Sequence, residues 1–143
     1  LFHYYFEMCG SRTFAANFSH SPVTDFAAIE SVIMNFSEGD VLEASGYHGN
    51  IGEGTKNLDA MARDEQSKVS SDQEELLELG RHYREKYGVK FLVSAKGKTG
   101  AEMLSILKER MKNSREVEWR NARRALFEIT KKRMEAHPLN GLS

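Results

Sequence analysis

The sequence predicts an all-α protein, a single-domain multi-helix bundle spanning residues 1–143, and three observations predict it. Only two prolines interrupt the chain, at Pro22 and Pro138. Apolar residues recur at helical spacing over most of the length, and Ser, Thr, Asp or Asn stands before nearly every such run, where its side chain can accept a bond from an otherwise orphaned N–H. At this length one hydrophobic core suffices.

Taken in order, Phe2 to Cys9 reads as the tail of a helix stopped at Gly10, and Ser11 caps a short turn carrying Phe14 and Phe18. After Pro22, Thr24 is placed to cap a helix in which Phe26, Ile29, Val32, Ile33 and Phe36 share a face, with Ser37-Glu38-Gly39 as its end. Asp40 opens a further short helix through Ala44, broken by Gly46, and Asn57 caps a segment running to about Val69. Ser71 with Glu74 forms a capping box, after which Leu76, Leu79, Tyr83 and Tyr87 line one side until Gly88. Val89 to Val93 reads as a short extended piece. A second capping box, Thr99 with Glu102, begins a helix bearing Met103, Leu104, Leu107 and Met111, and Ser114 begins the last and longest helix, to about His137.

Composition narrows the function. Lys and Arg total 20 against 21 for Asp and Glu, a net charge of -1. No overall field therefore draws the chain to nucleic acid or to an anionic membrane, and a small molecule or another protein is the expected partner. Cys9 is the one cysteine, which leaves no internal disulfide or CxxC site and suits a structural thiol in a reducing compartment. No apolar run approaches the roughly 20 residues that cross a bilayer. The chain begins at Leu1, so the native N-terminus is not visible, and its end at Asn140-Gly141-Leu142-Ser143 is not a Ser-Lys-Leu-type address. Peroxisome and cytoplasm both stay open.

The C-terminal third is locally basic through Lys108, Arg110, Lys112, Arg115, Arg120, Arg123, Arg124, Lys131, Lys132 and Arg133. Interleaved Glu109, Glu116, Glu118 and Glu128 argue for a solvated, salt-bridged surface in place of a phosphate-binding one, and Trp119 and Phe127 could serve a subunit interface.

Register supplies the sharpest clue to chemistry. In the segment after Asn57, Glu65 shares the face of Leu58, Met61, Ala62 and Val69; in the last helix, Arg133 follows Ala122, Leu126 and Ile129 in phase. Two opposite charges thus point inward. They suit either a structural ion pair or a polar cavity between helices that orients a small ligand. His48, in a loop with Gly49, Gly52 and Gly54, has a pKa suited to moving a proton near neutrality. His3, His20, His82 and His137 have no comparable context. No pair of ligands at metal-binding spacing occurs, and Gly49 to Gly54 follows no strand and lacks the Lys-Ser/Thr ending of a phosphate loop.

The stretch LEASGYHGNIG resembles the catalytic-loop motif of the 2-oxo-4-hydroxy-4-carboxy-5-ureidoimidazoline (OHCU) decarboxylase family, in which a similar turn leads to His-Pro and often Ile-Gly. FEMCGSRTFAANFSHSP is similar to that family's Gly-Ser-x-x-Phe/Trp-Ala segment, DEQS to its Glu-Gln signature, and YREKYGVKFLVSAKGKTGAEML to its Tyr-x-x-x-Phe-Gly-x-x-Phe block. LKERMKN through EITKKRM resembles the closing helices. The resemblance implies an all-α homodimer that decarboxylates the ureidoimidazoline to (S)-allantoin, the last step from urate, with no metal or organic cofactor. By motif it implies catalytic roles for His48, Glu65 and Arg133, and substrate contact at Gly49, Ala62, Gln66 and the run Phe91, Leu92, Val93, Ser94 and Ala95.

Gly49 stands where the family has proline, Ala62 where serine is common and Gly80 where asparagine is usual, and Val69-Ser70-Ser71 replaces Ala-Gly-Leu. Loss of the proline loosens the turn and loss of the serine removes a hydrogen bond. The alternative reading, from another functional class, is therefore a catalytically weakened homologue that binds a ligand or partner through the same cavity.

Overall fold

The structure is a computed structural model, and residues 1–20, 25–47, 67–93 and 98–137 are described. Among them the chain forms seven helices: α1 (Phe2–Cys9), α2 (Arg12–Phe18), α3 (Phe26–Met34), α4 (Glu38–Tyr47), α5 (Ser67–Tyr87), α6 (Gly100–Arg110) and α7 (Arg115–Ala136). No described helix is long and apolar enough to cross a membrane.

The ends follow local chemistry. Gly10, at φ 81°, takes the left-handed conformation that closes α1, its N–H bonding Phe6 O. Ser11 then turns to extended backbone and its Oγ accepts from Phe14 N, opening α2. Gly88, at φ 77°, closes α5 in the same left-handed region. Thr99 accepts from Glu102 N and Ser114 from Val117 N, starting α6 and α7 where the cap signals place them.

Several boundaries differ from expectation. The α3 cap is Asp25, whose carboxylate accepts from Ala27 N. Thr24 lies outside the described residues. Ser37-Glu38-Gly39 does not end α3; Ser37 Oγ accepts from Asp40 N at 3.1 Å while Asp40 Oδ2 accepts from Ser37 N at 3.2 Å. This reciprocal pair starts α4, which runs through Gly46 to Tyr47, because one glycine in a last turn costs a helix only about 1 kcal/mol. Nor does Ser71 begin a helix: the α5 backbone is helical from Ser67 straight past it, no glycine or proline being there to break it. The segment from Asn57 lies otherwise outside the described residues.

Residues 89–93 form no strand; they run as irregular backbone whose Val89, Phe91 and Leu92 side chains are buried. Helix α7 packs against α1, α3, α4 and α5, and α6 lies on α5. Tyr5, Phe14 and Phe18 make an aromatic cluster between α1 and α2. Trp119 is core, 4 % exposed, with Nε1 donating to Tyr87 O at 2.8 Å, so it does not serve a subunit interface; Phe127 is half-buried against the same core. The exposed basic residues are largely engaged with carboxylates: Arg115 forks onto Glu38 with two 3.1 Å bonds, Arg124 meets Glu30 at 2.9 Å and Lys108 meets Glu75 at 3.0 Å.

Candidate active site

Where α1, the end of α4 and the end of α7 meet, a recess of about 400 Å³ opens, lined by Tyr4, Glu7, Met8, Tyr47, Arg133 and His137. Helical spacing builds its walls. Tyr4, Glu7 and Met8 stand one turn apart on α1, and Arg133 and His137 one turn apart at the end of α7. Tyr4 OH donates to His137 O at 2.9 Å and ties the first helix to the close of the last.

Arg133 is the arginine among the described residues that line this opening. Its Nη1 donates to Glu7 O at 3.2 Å, one of the last-turn carbonyls that α1 itself cannot satisfy and that carry the negative end of its dipole. One guanidinium edge is thereby held at the wall of the recess while the side chain stays half-buried. The Glu7 carboxylate pairs with His3 Nε2 at 2.9 Å on the exposed side. Phenols and a guanidinium around an apolar Met8 suit a small polar molecule.

Of the residues expected at the site, Arg133 lies here. It does not project into the core as its register suggests: the buried stripe of α7 runs through Glu118, Trp119, Ala122, Ala125, Leu126, Thr130 and Met134, with Ile129 half-buried and Arg133 at its edge. His48, Gly49, Ala62, Glu65, Gln66, Ser94 and Ala95 lie outside the described residues. His48 is joined directly to Tyr47, a wall of the recess. Phe91 and Leu92 are buried and Val93 is half-buried against the core; none of these lines the recess, and neither does Gly80, buried within α5.

The buried charge of the described core is Glu118, expected on a solvated surface. It is 0 % exposed and pairs with Arg110 at 2.7 Å. Burial pushes its carboxyl up, but bonds from Tyr83, Asn113 and Arg110 outweigh that and hold it below the usual range. Glu118 shares the i+4 and i+7 register of Ala122 and Ala125, the same signal that singled out Arg133, and so was open to detection. Tyr4, Glu7, Tyr47 and His137 carry no such signal, since helices far apart in the sequence bring them together.

Comparison with known proteins gives a consistent picture. The family model described as OHCU decarboxylase matches residues 7–135. The chain is 36% identical over 141 residues to the uric acid degradation bifunctional protein TTL of Arabidopsis thaliana, covering 88% of this chain and 44% of that protein, so it spans less than half of this relative. A crystal structure of OHCU decarboxylase in the presence of (S)-allantoin superposes with a TM-score of 0.75 at 33% identity, over 92% of this chain and 94% of that one. A crystal structure of (S)-allantoin synthase shares the fold, with a TM-score of 0.59 at 21% identity, over 78% of this chain and 36% of that one.

Proposed function

The chain belongs to the OHCU decarboxylase family, and from that premise we propose that it is a carboxy-lyase converting 2-oxo-4-hydroxy-4-carboxy-5-ureidoimidazoline to (S)-allantoin in urate breakdown. Residues 1–143 act in this reading as one helical domain, paired with a second copy as a homodimer, in the peroxisome or the cytoplasm. The observation that carries it is the tethered Arg133 guanidinium facing a polar recess at the meeting of α1, α4 and α7.

Decarboxylation breaks one carbon–carbon bond, releases carbon dioxide and leaves an electron pair that must flow into an adjacent imine or carbonyl. A site accelerates this by stabilising the charge as it develops more than it stabilises the starting carboxylate. Arg133, held on one side by Glu7 O, and the Gln66 amide supply donors to the ring oxygen and nitrogen atoms. The carboxylate leaves from the drier, less supported side. His48 then delivers a proton to one face of the planar intermediate, which yields a single enantiomer. Glu65 orients the ureido N–H groups or sets the charge of His48.

The test is chiral analysis of allantoin formed from freshly oxidised urate. Addition of the chain yields the (S) enantiomer in excess; a racemic product forming at the uncatalysed rate would overturn the proposal.

A further inference from the structure

We propose that Arg110 is a positioning residue for this reaction: through its buried pair with Glu118 it holds the backbone of residues 91–93. That this run touches substrate is taken from the decarboxylase reading. The grip itself is seen in the contacts of described residues.

Arg110 is the last residue of α6, and its side chain is 12% exposed. Its Nε donates to Glu118 Oε1 at 2.7 Å, its Nη1 to Leu92 O at 2.7 Å and its Nη2 to Tyr83 OH at 3.2 Å. Its guanidinium also lies over the Phe91 ring, 4.9 Å from the centroid. Glu118 in turn is saturated: Oε1 also accepts from Tyr83 OH at 2.6 Å, and Oε2 accepts from Asn113 Nδ2 at 2.7 Å and Asn121 Nδ2 at 2.8 Å. With every oxygen engaged, the carboxylate cannot turn, so neither can the arginine.

Residues 89–93 belong to no helix or ladder, hence no periodic bonds orient their carbonyls. The buried Val89, Phe91 and Leu92 side chains anchor the run, and the Arg110 donor, on a fixed partner, directs its backbone at Leu92 O. A buried ion pair is seldom more stabilising than apolar residues of equal volume. What it contributes here is aim: a planar fork that reaches a carboxylate and a carbonyl at once, which lysine cannot match.

Arg110→Lys in the full chain tests this by two readouts, hydrogen exchange of the peptide covering residues 89–93 and steady-state kinetics on freshly oxidised urate. Expected are a retained helical spectrum, exchange in that peptide faster by about tenfold with α1 and α3 unaltered, and kcat/KM lower by about tenfold or more, mainly through KM. Unchanged exchange overturns the grip. Faster exchange with kinetics within about twofold of the parent overturns the positioning role. If Arg110→Lys does not fold, Tyr83→Phe, which removes one hydroxyl from the same cluster, shows the same pattern at about threefold amplitude, and parent values in that variant overturn the proposal. A parent chain without stereospecific turnover sinks the decarboxylase reading separately, and exchange then still decides whether Arg110 holds the run.

Discussion

Gly10 and Tyr47 approach so closely that no side chain fits between them: a Cβ on Gly10 would lie 2.6 Å from Tyr47 Cβ and 2.7 Å from Cδ1. Tyr47 is also set edge-on against Phe6, 5.2 Å between centroids. The end of α4 is thus seated on the turn between α1 and α2, one residue ahead of His48. Gly10→Ala meets both a left-handed backbone and this clash, and should lose about 1–3 kcal/mol or more, read as a lower urea midpoint. A midpoint equal to the parent's would show that Tyr47 yields freely.

Glu118 ties stability to pH. Its folded carboxyl titrates below the ordinary value of 4.5, so its contribution is present above that value and is lost as pH falls through the folded one. Urea midpoints of the parent should drop in acid below that range, and Glu118→Gln should flatten this part of the profile. Glu118→Ala leaves Arg110 buried without its partner and should cost about 3–5 kcal/mol at neutral pH. An Arg110→Met, Glu118→Leu double variant should recover most of that loss, as measured by the same melts.

Cys9 is buried in α1, and burial pushes its thiol up to about 12 from an ordinary 9.0. It should resist a thiol-specific disulfide reagent at about pH 8 in the native state and react at once in denaturant. Because the thiol ionises more readily in the unfolded chain, its contribution to stability is full below pH 9.0 and fades as pH rises toward about 12. Rapid labelling of native protein would contradict this burial.

Arg133 and His48 should separate catalysis from folding. Arg133→Lys keeps the charge but loses the fork, and His48→Asn removes the proton donor; each should lower kcat/KM on the order of a hundredfold, with a melting temperature near the parent's. Parent-like turnover in His48→Asn would remove the imidazole from the mechanism. A melting temperature that collapses in Arg133→Lys would make that arginine structural.

Much of the helix pattern was legible from the chain alone, because caps and periodicity act within about one turn. Gly10, Ser11, Gly88, Thr99 and Ser114 end or begin helices by bonds to residues three or four positions away. Where such signals compete the outcome differs from expectation: at Ser37 the reciprocal bonds with Asp40 start α4, and at Ser71 the continuity of α5 won over the expected cap.

The sequence by itself determined the all-α class, the main helix ends and the family motifs. Only the tertiary structure decided which charge is buried: Glu118 fully, under α5 and α6, and Arg133 half, at the rim of a recess. It alone joined Tyr4 to His137 and Arg110 to Leu92. The physical reason is range: a cap is satisfied by its own turn, whereas desolvation depends on what another helix, distant in sequence, lays over a face.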